Sequence, residues 1–198
     1  NHQLRGGASV ADEKSVQATA RRLGLECISE RGDVRGYKRK IKLSLEMAAR
    51  GLRHQFLRVT AERLKIRTVA MAHHADDQAE LFLLRLLRGA SGRGLSGMKW
   101  SNPSPASERL QLVRPLLDQT KADIRAYARA NKIHFREDAS NRSHDMLRNR
   151  VRGELLPLLA AKYEPAVVPV ISGAMEIIEA ENRFGEQAAE QCLKSKRH

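Results

Sequence analysis

The chain has 198 residues, a length that suits one α/β domain with a real core and some extra helix. Hydrophobic residues make up 41 %, which excludes a disordered chain, and 4 % aromatics disfavour reading single strands by extended base stacking. Lys and Arg number 36 against 23 acidic residues, a net +13 that points to a polyanionic partner, nucleic acid first, with a generically basic soluble protein as the competing reading. Cys27 and Cys192 belong to no Cys-x-x-Cys pair, so no zinc or iron–sulfur site is signalled and a reducing cytoplasm is expected. No apolar run approaches the roughly 20 residues that span a bilayer, and no secretory signal is visible. The first residue is Asn rather than Met, which leads us to expect a fragment.

In chain order, residues 1–9 read as the end of a strand and a Gly turn. Ser9 is the expected N-cap of a helix that carries Asp12 and Glu13 in its first turn and stops at Gly24. Leu25 to Ser29 reads as a short strand. Residues 31–45 form a charged connector, read as a solvated loop in preference to a specific nucleic-acid contact. A long helix follows, with Leu45, Ala48, Leu52, Phe56 and Val59 as its apolar stripe.

Residues 66–98 hold the densest signal. Ile66 to Ala72 is continuously apolar, as expected for a strand buried on both faces of a parallel sheet. His73 and His74 come next, then Asp76 and Asp77, then an apolar helix over about 77–88 closed by Gly89. Ligands of α/β proteins bind where strand C-termini meet helix N-termini. An N-cap role for Asp76 would use one acceptor, but it leaves the histidines and Glu80 unexplained. Asp77 and Glu80 are an i, i+3 pair on one face, and their repulsion predicts a bound amine, a metal ion or nearby arginines. Leu83, Leu84, Leu86 and Leu87 predict a helix covered on several sides.

Residues 99–111 are rich in Ser and Pro and read as a loop. Leu112 and Val113 form a short strand, Asp118 to Thr120 cap a helix over 121–131, and Pro157, Pro165 and Pro169 interrupt the helical pattern. From about residue 170 one amphipathic helix runs on, with Val170, Met175, Ile178 and Phe184 on its packing face.

The stretch HHADDQAELFLLRLLRGASGRGLSGM resembles the signature of tRNA(Ile)-lysidine synthases, members of the PP-loop ATP pyrophosphatase superfamily. The resemblance extends to His2, Leu4 and Arg5 and to Glu46, Ala49, Arg50 and Arg53, with His54 where the family has tyrosine. It continues through Arg114 to Leu117, then Glu137, Asp138, Ser140, Asn141, Arg148, Asn149, Val151 and Arg152, with Met146 in another tyrosine position. It implies an α/β fold, a Rossmann-like parallel sheet flanked by helices of the adenine nucleotide alpha hydrolase type, followed by a helical linker. Residues 1–150 would be the catalytic domain, and 151–198 the linker toward a C-terminal domain.

The implied chemistry is ATP-dependent ligation of lysine to the wobble cytidine of tRNA(Ile), by a carbon–nitrogen ligase. The implied catalytic residues are Asp77, Glu80 and Arg53. Lysine and tRNA would meet Asp77, Glu80, Arg88, Arg148, Asn149 and Arg152; the nucleotide would meet His74, Asp76 and Arg50. ATP and Mg2+ are the implied cofactors, tRNA(Ile) and L-lysine the partners, the cytoplasm the location, and a homodimer one option. No metal ligand is assigned. The family's Ser-Gly-Gly-x-Asp-Ser phosphate loop occurs nowhere in the sequence. The first strand and that loop are therefore expected to be missing, and the chain as given to be inactive. Another PP-loop tRNA-modifying enzyme, such as a thiolase, and a non-catalytic tRNA-binding remnant are the alternatives.

Overall fold

The computed structural model describes residues 1–42, 44–136 and 147–195. Two units emerge, Asn1–Val69 with Ser101–Val113 and Ala70–Trp100 with Arg114–His198.

The first unit opens with α1 (Gly7–Arg22), which starts after Gly6 and so ahead of the expected cap at Ser9. The Ser9 hydroxyl instead accepts from the Arg5 amide at 3.3 Å, while Arg5 and Asp12 pair at 2.6 Å. Leu25 to Ser29 is not a strand, a correction to the sequence reading. The segment is tied to α1 by side chains: Gln17 donates to the Ser29 hydroxyl at 3.0 Å, and that hydroxyl donates to Glu13 at 3.1 Å.

The charged connector contains a second helix, α2 (Val34–Ile41), where a loop was expected. Asp33 Oδ1 accepts from the Gly36 amide at 2.9 Å and supplies the N-cap. Val34, Tyr37 and Ile41 lie at helical spacing, with Val34 buried and the Tyr37 ring over Gly51 of α3 (Leu45–Leu64). The density of charge hid that short apolar stripe. Ser44 caps α3, and its buried positions are Ala48 and Ala61. Leu45 and Val59 stay exposed, so only part of the expected stripe packs.

The sheet has the order β1-β3-β2. β2 (Ser101–Ser104) and β3 (Ser107–Val113) form an antiparallel hairpin, with Ser101 opposite Val113 and Ser104 opposite Ser107. This overturns the loop expected over 99–111. Leu110 and Leu112 are buried on either side of Gln111, a period-2 pattern too short to stand out beside so many serines. Pro103 sits in the outer strand, where a missing amide is tolerated, and the register breaks between Pro103 and Ser104.

β1 (Thr68–Ala70) is shorter than the apolar run and lies at an edge of the three strands, with Thr68 and Ala70 exposed. The expectation of an interior strand over 66–72 is corrected accordingly. Its one partner is β3, so the ladder ends after three residues and Ile66 remains 45 % exposed. The α/β class holds, as a small sheet flanked by helices rather than a wholly parallel one.

The second unit is built on α4 (Ala75–Leu86), α5 (Lys121–Ala130) and α8 (Val167–Ser195). A further helical stretch consists of α6 (Leu147–Arg150), a π turn (Val151–Leu155) and α7 (Leu156–Lys162). Ala79, Leu83 and Leu84 of α4 meet Val151, Leu156, Val167, Ile171 and Met175 in one core. Each fully buried Leu contributes about 1.5–3 kcal/mol. Leu86 and Leu87, expected inside, are exposed at the end of α4. Pro157 is the second residue of α7, just past the π turn. A proline ring clashes with the carbonyl four residues back, here Gly153, and a widened turn gives that carbonyl room. Pro169 falls in the first turn of α8, where its missing amide costs nothing.

Candidate active site

His74, in extended conformation, is the N-cap of α4, so Asp76 is not. Asp77, three positions on, accepts from the His74 amide through Oδ2 at 3.2 Å, which fixes its carboxylate at the helix start. Asp76 serves a different helix: its Oδ2 accepts from the Lys121 amide, the first of α5, at 2.7 Å. It thereby ties the starts of α4 and α5 together. The His74 ring lies 3.6 Å from both carboxylates, by Nδ1 to Asp76 and by Nε2 to Asp77.

Glu80 lies one turn further in, with 1 % of its side chain exposed, and Asp77 has 11 %. Two arginines from the 147–155 stretch answer them. Arg148 donates from Nε to Glu80 Oε2 at 3.0 Å and from Nη2 to Asp77 Oδ1 at 3.2 Å. Arg152 donates from Nε to Glu80 Oε1, and from Nη2 to Glu80 Oε2 at 2.9 Å and to Asp77 Oδ1 at 3.2 Å. Arginines, one of the three expected ways to relieve the acidic pair, are thus supplied by the chain itself.

The four charges balance, and the forked guanidinium geometry fits paired carboxylates. Burial of Arg152 works against its charge, but the hydrogen bonds and charge of Glu80, then the charges of Asp77 and Asp76, outweigh it and raise its pKa above the ordinary arginine value. Arg148 is the looser partner, with 41 % of its side chain exposed against 26 % for Arg152. The π turn carries Arg152, and such turns recur at functional sites.

A clamp that the sequence did not reveal sits between the acids. Gln78 donates from Nε2 to the Met98 carbonyl at 2.9 Å and accepts from the Met98 amide at 2.7 Å. Arg85 donates to the Gly94 carbonyl at 2.8 Å. The glycine-rich tail is thus bound along α4, and Lys99 reaches Glu179 of α8 at 3.3 Å. Gln78 was legible only as a polar residue on a face that also carries Ala75 and Ala79.

Asp77, Glu80, Arg148 and Arg152 therefore come together, with His74 and Asp76 beside them. Asn149 lies in the same helical turn as Arg148, while Arg88 is exposed beyond the far end of α4. Arg50 and Arg53 stand on α3 in the first unit, exposed, and the charge of Arg53 acts on His2. Glu137, Asp138, Ser140, Asn141 and Met146 lie outside the described residues. An open groove of about 260 Å³ is lined by Leu87, Leu147, Val151, Leu155 and Leu158, with Arg150 and Glu154. Among the described residues no group of three His, Cys, Asp or Glu is placed to hold a metal ion.

The tRNA(Ile)-lysidine synthase of Geobacter sulfurreducens is 39 % identical over 194 residues, 98 % of this chain and 40 % of that protein. The tRNA(Ile)-lysidine synthase of Porphyromonas gingivalis is 37 % identical over 190 residues, 96 % of this chain and 40 % of its own length. The chain thus spans about two fifths of the length of these curated relatives. Among solved structures, the U34-tRNA thiolase NcsA from Methanococcus maripaludis, determined with its [4Fe-4S] cluster, superposes with a TM-score of 0.63 at 14 % identity. It covers 85 % of this chain and 56 % of its own, a likeness of fold. The model of the PP-loop domain family matches residues 1–159, and the chain belongs to that family.

Proposed function

We propose that this chain is part of a tRNA(Ile)-lysidine synthase, an ATP-dependent carbon–nitrogen ligase acting in the cytoplasm. The observation that carries the reading is the acidic pair Asp77 and Glu80, buried at the start of α4 and answered by two arginines. Relatives of that name across nearly the whole chain support it. Residues 1–150 would belong to the catalytic domain and 151–198 to a helical linker. No single described helix is long and apolar enough to cross a membrane.

In this reading ATP transfers its adenylyl group to the C2 oxygen of the wobble cytidine, and pyrophosphate leaves. The amine of free lysine then forms a C–N bond at C2, the C–O bond to AMP breaks, and the amine sheds a proton. Asp77 and Glu80 are the amine-recognising carboxylates. Arg148, the more exposed guanidinium, is the partner that an incoming ammonium displaces or shares, since charge-assisted bonds to Asp77 Oδ1 serve either cation. Arg152 stays as the fixed counter-charge. Asn149 and Arg88 are proposed for tRNA, and His74, Asp76, Arg50 and Arg53 for the nucleotide side. Mg2+ accompanies the nucleotide in this reading. The acidic residues that would suit it best are engaged by arginines, so no ligand is assigned and no step runs through it.

The test uses the intact product of the gene that encodes this sequence. Labelled lysine should enter tRNA(Ile) in the presence of ATP and release AMP. Sulfur transfer to tRNA without lysine incorporation would favour the thiolase reading, and tRNA binding with neither would leave a binding remnant.

A further inference from the structure

Helix α2 has two opposed faces. One packs on α3 through Val34, Tyr37 and Ile41. The other presents Arg35, Lys38 and Arg39, exposed and three and four residues apart, and exposed Lys42 follows as the C-cap. The helix dipole explains cations in the last turn but opposes Arg35 in the first. Like charges three and four residues apart repel one another. Asp33, the acid that precedes the helix, is held as the N-cap by the Gly36 amide. The folded chain therefore fixes three mutually repelling cations on a short, capped helix, with a fourth at its C-cap. A polyanion that bridges them relieves the repulsion.

Resting on the reading of the chain as tRNA-modifying, we infer that this face of α2 is a docking surface for the phosphate backbone of the RNA substrate, holding successive phosphates without reading bases. An anionic membrane surface fits less well. A basic helix lying on a bilayer buries its apolar face there, and the apolar face of α2 is already occupied by α3.

The experiment measures binding of labelled tRNA(Ile) to the chain by anisotropy between about 50 and 200 mM salt. Four changes together, Arg35→Gln, Lys38→Gln, Arg39→Gln and Lys42→Gln, should weaken binding at low salt at least tenfold. The slope of log K against log salt should become shallower by about three, since each of the four lost phosphate contacts removes roughly 0.7–0.9. Swapping charge for charge, Arg35→Lys, Lys38→Arg and Arg39→Lys, should leave both unchanged and so assigns the effect to charge, while an unaltered circular dichroism spectrum of the Gln variant shows that the helix still folds. Neutralising Lys14, Arg21 and Arg22 of α1 should also leave the slope unchanged. Equal losses from the α1 changes would reduce the effect to net charge and overturn the proposal. So would an unchanged affinity in the α2 variant, while lysine incorporation by the intact protein would still uphold the enzyme reading. A wild-type chain that binds anionic vesicles and not tRNA would overturn both.

Discussion

The side-chain amide of Gln78 pairs with the backbone of Met98 in both directions, donating at 2.9 Å and accepting at 2.7 Å, as a neighbouring strand would. One side chain thus closes the loop that follows α4. Gln78→Ala leaves the Met98 amide and carbonyl without these partners at a partly buried position. The expected cost is about 1–3 kcal/mol, read as a lower urea midpoint at constant m. A midpoint equal to wild type would show that water replaces both bonds.

Gly97 lies beside that clamp at φ +77, and a Cβ there would run into Met175 and sit 2.7 Å from Gln78 Oε1. Gly97→Ala therefore combines an unfavourable backbone conformation with overpacking. We expect a loss of about 2–4 kcal/mol in denaturant unfolding.

Glu80 neutralises two guanidiniums from a position with 1 % exposure. Glu80→Gln should cost about 2–4 kcal/mol, below the full range for breaking a buried pair because both arginines keep some solvent. Asp77→Asn should cost less, about 1–2 kcal/mol, and should raise the KM for lysine in the intact protein while adenylation of tRNA persists. Loss of adenylation with an unaltered lysine KM would move the pair to the nucleotide side.

Acid should weaken the fold in two stages. Burial, then the charges of Arg53 and the N-terminus, hold the His2 pKa below 6.5. Folding favours its neutral form, so its contribution is full above 6.5 and fades as pH falls through the lower folded value. For Glu179, burial pushes upward, but the hydrogen bonds of Ser96 and Lys99 and the charges of Lys99 and Arg183 prevail, leaving its pKa below 4.5. That contribution is full above 4.5 and fades below it. Thermal midpoints measured from pH 8 to 3 should show both declines, and His2→Gln should remove the upper one.

Lys65 ends α3 in the left-handed conformation at φ 56. Lys65→Gly should stabilise the chain by about 1 kcal/mol, since glycine adopts that conformation without the Cβ penalty. An unchanged or lower melting temperature would count against it.

The long periodic elements were legible from sequence. Residues 45–64 and the helix after Asp76 carried enough apolar spacing to be read, and the i, i+3 acids forecast a cationic partner that the fold supplies in Arg148 and Arg152. What stayed hidden was set by pairing between distant segments. Leu110 and Leu112 mark a strand only once Ser101 to Ser104 lies opposite, and the three-residue stripe of α2 was outweighed by its lysines and arginines. The Lys121 amide could not be matched to Asp76 from sequence, because a helix start offers no residue-type signal of what caps it from outside.

The π turn at Val151–Leu155 sets the phase between the two ends of its helical stretch. A π turn holds one residue more than the α turn it replaces, so winding Val151–Leu155 as regular α-helix would turn everything upstream relative to α7. Leu156 would stay packed while Arg148 swung off the acids. A change of winding alone would thus disconnect the site from a core left nearly whole.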